Sequence, residues 1–288
     1  MRLRNFALAL ILAALPLAAR ADDDAVTRGG YLFDAGDCVA CHTDAKNDGA
    51  RLAGGRALAT PFGIFYGPNI TPDPTTGIGN WSLADFQRAL REGEGIHGEY
   101  LYPVFPFGSF TGMSDGDIAD LYAYLMAQAP VARPDTPHQV KFPFSIRPLL
   151  IGWRTLFFAE GPLQPVAVQS DDWNRGRYLA EAVVHCQECH TPRNLLGGLE
   201  HAQAYAGNPQ GPDGLKTPNI TPDKATGIGD WSAEDLATML KTGQTPDGDT
   251  VGDAMGEVVR GTGNLTDADR GAIALYIKSL PPRRATGK

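Results

Sequence analysis

The chain has few cysteines and no long apolar segment. Only four of its 288 residues are cysteine, and all four lie in two short motifs, which leaves none for a disulfide elsewhere. Its most apolar run, residues 6–18, falls short of the roughly 20 residues that a membrane-spanning helix requires. Alternation of polar and apolar residues with period two is rare, which argues against a large β-sheet.

The N-terminus has the pattern of an export signal. Arg2 and Arg4 precede the apolar run, and small residues at Ala19 and Ala21 suit a cleavage site. We predict that residues 1–21 are a signal peptide and that the mature protein is periplasmic; an uncleaved membrane anchor is the alternative. Removing these residues takes away three arginines and changes the net charge from −8 to −11. Such an acidic chain does not suit nucleic-acid binding.

The four cysteines form two copies of the motif Cys-x-x-Cys-His. This is the attachment signature of c-type haem: two thiols one helical turn apart reach the two vinyl groups of one porphyrin, and the histidine binds the iron. A thioredoxin-like dithiol and a zinc site are the alternatives, but the flanks lack a βαβ pattern and zinc would leave both histidines unexplained. We therefore predict two covalent haems, attached through Cys38, Cys41, Cys186 and Cys189, with His42 and His190 as proximal iron ligands.

The chain repeats itself at a distance of about 150 residues. Asn-Ile-Thr-Pro-Asp occupies residues 69–73 and 219–223, and Thr-Gly-Ile-Gly-x-Trp-Ser occupies residues 76–82 and 226–232. One Cys-x-x-Cys-His motif stands near the start of each copy. Each repeat is therefore predicted to be one complete haem-binding unit, and two copies are too few for a solenoid.

Capping residues and helical spacing predict the same helices in both halves. Ser82 and Ser232 are expected N-caps of a middle helix, and Ser114 and Thr266 are expected N-caps of a last helix. We predict an all-α fold of two tandem domains joined by a proline-rich linker. The boundaries are residues 1–21 for the signal peptide, 22–130 and 171–282 for the domains, 131–170 for the linker and 283–288 for a C-terminal tail.

The predicted linker combines proline with many large apolar residues. Residues 130–170 hold seven prolines and show no strong periodicity, yet residues 142–158 are rich in Phe, Leu, Ile and Trp. We expect this segment to pack across both domains and to fix their orientation. A docking patch for a partner or a membrane surface is the alternative.

Each half resembles a class I cytochrome c. The resemblance rests on an N-terminal helix, the Cys-x-x-Cys-His motif, irregular loops, and an Ala-Tyr or Leu-Tyr pair, residues 123–124 and 275–276, on the last helix. In that family the terminal helices cross at a small residue, a role that the resemblance gives to Gly29 and Gly176. The family's fold is all-α, in agreement with the residue patterns.

The whole chain is more specifically similar to the multihaem cytochrome c subunits of periplasmic gluconate and alcohol dehydrogenases. The repeated Asn-Ile-Thr-Pro-Asp and Thr-Gly-Ile-Gly-x-Trp-Ser motifs and Leu-Tyr-Pro at residues 101–103 carry this similarity. It implies a protein that accepts electrons from a dehydrogenase and passes them to the respiratory chain; a peripheral membrane contact belongs to the docking alternative for residues 142–158. Those subunits generally carry three haems, whereas this chain has two attachment motifs.

The sixth iron ligands are expected to be methionines, whose thioether raises the reduction potential. Met255 precedes the predicted cap Thr266 by 11 residues, in the loop where class I cytochromes present their methionine. The matching position of the first half is near Phe105, and phenylalanine cannot bind iron. Met113 is the predicted ligand there, with His97 or a five-coordinate iron as alternatives.

These features predict an electron-transfer protein without catalytic residues of its own. The alternative is a dihaem redox enzyme, peroxidase-like or thiosulfate-oxidising, which needs one open or unusual haem. The doubtful sixth ligand of the first haem keeps that alternative open.

Overall fold

A computed structural model describes residues 17–285 of the chain. Of the predicted signal peptide, residues 1–16 lie outside the described residues, and residues 17–21 belong to the first helix. The helices of the first half are α1 Leu17–Ala35, α2 Cys38–His42, α3 Leu83–Glu92, α4 Phe107–Phe110 and α5 Asp115–Met126. The remaining helices are α6 Leu150–Phe157, α7 Asp171–Tyr178, α8 Cys186–His190, α9 Ala233–Thr242, α10 Asp253–Thr262 and α11 Asp267–Ser279.

The helices that the two halves share begin and end where the capping residues predict. Ser82 and Ser232 each form a capping box with the aspartate three residues later, and Ser114 and Thr266 each accept a hydrogen bond from the third residue of α5 or α11. Gly93 and Gly243 end α3 and α9 in the left-handed conformation that glycine adopts without strain. These predicted caps are confirmed.

The first and last helices of each half pack directly on each other. An ideal Cβ on Gly29 would lie 1.9 Å from the carbonyl oxygen of Asp120, and one on Gly176 would lie 1.9 Å from the carbonyl oxygen of Ala272. Only glycine permits this approach of α1 to α5 and of α7 to α11. The role that the class I resemblance gave to these two glycines is confirmed.

One continuous core joins the two halves. It contains buried residues of α1 and α5 together with residues of α9, α11 and the π-helical turn Leu179–Val183 that continues α7. Phe33 and Ile118 from the first half and Val183 and Ile273 from the second are each at most 1% exposed. The halves therefore bury apolar surface against each other.

A small antiparallel sheet corrects the all-α prediction. Its strands are β1 Ala57–Thr60, β2 Gly63–Tyr66 and β3 Gln139–Val140, with β2 in the centre. Ala57 pairs with Tyr66, and Gly63 pairs with Val140. The sheet forms because a tight turn after Thr60 returns the chain, and the third strand comes from the predicted linker, far away in sequence. A second apolar cluster, centred on Phe65, Tyr102 and Leu150, packs beside it.

The segment 131–170 touches both halves and carries a helix, α6, that the sequence did not predict. Arg147 Nη1 donates to the carbonyl oxygen of Tyr100 (2.5 Å), and Trp153 Nε1 donates to that of Leu196 (3.1 Å). The expected packing across both halves is therefore seen. Several of its large apolar side chains nevertheless stay exposed, namely Phe142, Ile146, Leu149, Ile151 and Leu156. In the part of the chain that the structure describes, no helix combines the length and hydropathy needed to cross a bilayer.

Candidate haem-attachment sites

The two Cys-x-x-Cys-His motifs form two short helices of the same shape. On α2 and on α8, the two cysteines lie one turn apart and the histidine is the last residue. The residues before them, Asp37 and His185, both adopt a left-handed conformation with φ of 48°. The chain thus turns sharply at this residue, and both thiols of each motif share one helix face with the histidine beside them.

A hydrogen bond fixes the orientation of each histidine ring. His42 Nδ1 lies 2.8 Å from the carbonyl oxygen of Pro68, and His190 Nδ1 lies 2.8 Å from that of Pro218. Because a carbonyl only accepts, Nδ1 carries the proton and Nε2 keeps its lone pair free for a metal. Burial lowers the pKa of both histidines, which favours the neutral form that binds iron.

The prolines that accept these bonds are functional residues that the sequence reasoning missed. Pro68 and Pro218 immediately precede the two copies of Asn-Ile-Thr-Pro-Asp. The repeated motif is therefore Pro-Asn-Ile-Thr-Pro-Asp, one residue longer than Asn-Ile-Thr-Pro-Asp. The presence of this proline in both repeats could have marked it as important in the sequence. Only the fold shows that its carbonyl oxygen faces the histidine ring.

All four cysteines are free and partly buried. Burial raises the pKa of Cys38, Cys186 and Cys189 to about 12 and that of Cys41 to about 11. A dithiol of the thioredoxin type works through a cysteine whose pKa is lowered, so the environment does not suit thiol–disulfide exchange. It fits cysteines whose sulfurs are held as uncharged groups, as in thioethers to a porphyrin.

The loops that present the proline carbonyls are held by asparagine side chains. Asn69 Nδ2 donates to the carbonyl oxygen of Val131 (2.8 Å), and its Oδ1 accepts from the backbone and hydroxyl of Thr71. Asn219 makes the same bonds with Thr221 and Arg283. Both amides hold the loop in place, since an asparagine side chain readily bonds to the backbone two residues further on.

The chain after α2 runs directly against the helix. An ideal Cβ on Gly67 would lie 1.8 Å from the carbonyl oxygen of Cys41, so only glycine fits beside the attachment helix. In the second half Thr217 takes this place, and its hydroxyl donates to the carbonyl oxygen of Cys189 (2.6 Å). Both contacts fix the proline that follows, and hence the histidine ring.

The candidate distal ligands have different surroundings. Met255 is partly buried and packs against the core from the first turn of α10, a helix rather than the loop that the sequence suggested. Met113 lies inside the core and is 1% exposed. His97 is exposed in the turn between Glu94 and Tyr100.

The two attachment helices lie beside the contact between the halves. Ser109 Oγ of the first half donates to Glu188 of the second motif (2.9 Å), and Arg56 pairs with Glu257 (2.7 Å). His185 Nε2 lies 3.3 Å from the carbonyl oxygen of Gly36. The second motif, and the residue two positions before the first motif, are therefore in contact with the opposite half.

Comparison with known proteins shows what the chain is similar to. A family model described as Cytochrome c matches residues 26–129. A protein of Cereibacter sphaeroides named diheme cytochrome c-type is 46% identical over 265 residues, which cover 88% of this chain and 86% of that protein.

Cytochrome subunits of dehydrogenases are also similar. The fructose dehydrogenase cytochrome subunit of Gluconobacter japonicus is 42% identical over 275 residues, covering 95% of this chain and 56% of that protein. The gluconate 2-dehydrogenase cytochrome c subunit of Pantoea cypripedii is 41% identical over 291 residues, covering 97% and 66%. The chain thus spans between half and two thirds of the length of these subunits.

Proposed function

This chain belongs to the cytochrome c family, and from that premise we propose that it is a periplasmic electron-transfer protein with two covalent haems, one on each of two tandem cytochrome c domains. The observation that carries the proposal is the repeated attachment helix, with two thiols one turn apart and a histidine ring oriented by a proline carbonyl. The name of the Cereibacter sphaeroides relative, which matches over most of its length, supports the count of two.

The residues around each site bind and orient the haem. Cys38 and Cys41 would hold the first haem and Cys186 and Cys189 the second, and Nε2 of His42 or His190 would bind the iron. When bound, the haem supplies a one-electron ferric–ferrous couple. The contacts of Glu188 with Ser109 and of His185 with Gly36, close to the two motifs, support electron transfer between the two sites within one chain.

A dehydrogenase is the proposed electron donor. The similar cytochrome subunits are named after fructose, gluconate and alcohol dehydrogenases. The periplasmic location rests on the export pattern of residues 1–21, and the respiratory chain is the proposed acceptor. In this role the protein serves a catalytic partner and needs no catalytic residue of its own.

Haem content tests the proposal directly. The full chain is expressed in bacteria with working cytochrome c maturation, and covalent haem is measured by haem staining after denaturing electrophoresis and by alkaline pyridine absorbance. We expect two haems per chain, falling to one in C38A/C41A and to one in C186A/C189A. A wild-type band without haem stain contradicts the proposal, and a single haem contradicts the count of two.

The role in a respiratory pathway needs a cellular experiment. Oxygen uptake with gluconate, ethanol or fructose as electron donor is compared between a strain with the chain and a strain without it. We expect one of these donors to lose most of its oxygen uptake in the deletion strain, with recovery when the wild-type chain returns but not the C38A/C41A/C186A/C189A variant. Equal uptake in both strains for all three donors contradicts the proposed role beside these dehydrogenases.

A further inference from the structure

The two attachment sites differ at the position that presents the distal methionine. Leu101 N donates to the carbonyl oxygen of Gly93 (2.8 Å), and Val251 N donates to that of Gly243 (2.9 Å), so these bonds mark the same place in the two halves. Four residues after them stand Phe105 and Met255. Both side chains are partly buried against the core. Phe105 therefore occupies the place of Met255, and its side chain has no atom that binds iron.

Met113 occupies the place of a core leucine. It immediately precedes the N-cap Ser114, as Leu265 precedes the N-cap Thr266, and the two side chains are 1% and 3% exposed. The backbone N–H of Met113 donates to the carbonyl oxygen of Phe110 (2.9 Å).

An arginine holds each of these two residues in place. The carbonyl oxygen of Met113 accepts from the buried Arg91 (2.8 Å), and that of Leu265 accepts from the buried Arg270. Moving the Met113 sulfur out of the core to reach an iron would leave a cavity, because this side chain is 1% exposed. The structure thus assigns Met113 a packing role.

His97 lies on a turn that faces solvent. Its backbone N–H donates to a carboxylate oxygen of Glu99 (3.0 Å), and Gly98 closes the turn in a left-handed conformation. The same turn in the second half carries Asp247 at this position and Gly248 after it. The exposed ring of His97 is therefore a turn residue, equivalent to an aspartate.

We propose that the iron of the first haem is five-coordinate and that its open position binds a small uncharged ligand such as carbon monoxide or nitric oxide. The proposal rests on haem attachment at Cys38 and Cys41. The Phe105 ring lies 5.5 Å from that of Phe110, and such apolar neighbours favour uncharged ligands over anions. The second haem, with Met255 available, stays closed to such ligands.

Carbon monoxide titration of the reduced, full-length protein tests this proposal. Haem content is measured first, because a protein with fewer than two haems fails the proposed function rather than this inference. With two haems present, we expect about one CO bound per chain, and a ferric EPR spectrum in which one of the two haems is high-spin. A protein that binds no CO and is entirely low-spin overturns the proposal.

Four variants assign the result to single residues. F105M, with a side chain of similar volume, is expected to bind no CO, to lose the high-spin signal and to raise the potential of the first haem, because a thioether ligand raises it. M255A is expected to bind about two CO per chain. M113L, which copies Leu265, and H97A are matched controls that should keep wild-type CO binding. A rise in CO binding in M113L or H97A would identify that residue as the ligand and overturn the proposal.

Discussion

Gly29 and Gly176 lie where the first and last helices of each half come closest. At both positions a Cβ would enter a carbonyl group of the opposing helix, at 1.9 Å from its oxygen. A backbone carbonyl cannot rotate away as a side-chain end can, so the helices themselves have to separate. The residues between these helices belong to the core that also surrounds the attachment helices.

Replacing either glycine by alanine is expected to destabilise the protein. G29A and G176A should each lower the free energy of unfolding by about 1–3 kcal/mol or more, the usual cost of overpacking. G271A on α11 is the matched control: nothing lies within 4 Å of its Cβ, and alanine favours the helix, so its stability should rise by up to about 1 kcal/mol. Urea unfolding of the holoprotein measures all three, and an unchanged midpoint for G29A and G176A contradicts the close crossing.

The sequence predicts the residues of the candidate sites more directly than it predicts their surroundings. Two cysteines and a histidine at the spacing Cys-x-x-Cys-His indicate haem attachment without any knowledge of the fold. The environment of Met113 depends instead on which residues pack around it. Its position next to the helix cap Ser114 does not reveal that its side chain is buried in the core. The first half also has two residues fewer than the second between the distal position and the last helix, which obscures the match of Phe105 to Met255.

At the scale of elements, the helix starts follow from short local patterns. The hydroxyl of Ser82 donates to a carboxylate oxygen of Asp85, which also accepts from the Ser82 backbone N–H (3.0 Å), and Ser232 and Asp235 repeat this arrangement. The Ser82 hydroxyl and then its backbone N–H lower the pKa of Asp85, and for Asp235 the backbone N–H contributes first. These bonds need only four consecutive residues, so the sequence predicts them.

The capping aspartates are expected to make stability depend on pH in acid. Their pKa is lower in the folded chain than the value of about 3.9 for an unfolded aspartate, so their contribution is present above that pH and lost as the pH falls below it. The difference in unfolding free energy between wild type and D85N/D235N, measured in urea, should therefore shrink from pH 6 to pH 3. The effect is modest because both carboxylates remain partly accessible to solvent.

A neutral substitution on the same helix provides the control for this experiment. T238S changes an exposed residue of α9 without altering charge, and its difference from wild type should be the same at pH 6 and pH 3. If the wild-type advantage over D85N/D235N is also constant across this range, the carboxylates do not stabilise the two helix starts.

The elements that the sequence did not predict depend on distant partners. Strands β1 and β2 are four residues each, too short for a period of two to be clear, and β3 pairs with β2 from more than 70 residues away. Helix α6 lies among prolines, and its Arg154 stacks on the rings of Tyr100 and Phe107 at 4.6 and 5.6 Å. Such contacts between remote segments have no local sequence pattern.

At the scale of the whole molecule, each half caps a helix of the other. The hydroxyl of Tyr31 donates to Asp269 (2.6 Å) and accepts from the backbone N–H of Thr266 (3.1 Å), at the start of α11. The hydroxyl of Tyr178 donates to Asp117 and accepts from the backbone N–H of Ser114 (3.1 Å), at the start of α5. Burial, followed by the bond to the aspartate, raises the pKa of both tyrosines, so both remain protonated donors at neutral pH.

Because each half supplies a tyrosine that bonds to the start of a helix in the other half, a substitution of that tyrosine should loosen the helix in the opposite half. Y178F leaves the N–H of Ser114 without its tyrosine acceptor, and Y31F does the same to Thr266; a lost bond of this kind costs about 1 kcal/mol, or about fivefold in the opening equilibrium. Hydrogen exchange by mass spectrometry should therefore show faster exchange at the start of α5 in Y178F and at the start of α11 in Y31F.

Y122F is the matched control, because Tyr122 donates to the carbonyl oxygen of Trp81 (2.7 Å) within its own half, so its effect should stay there. If Y31F and Y178F change exchange only in the half that carries the substitution, the two halves are not coupled through these caps. The reciprocal pattern is specific because general destabilisation would raise exchange at both helix starts in both variants.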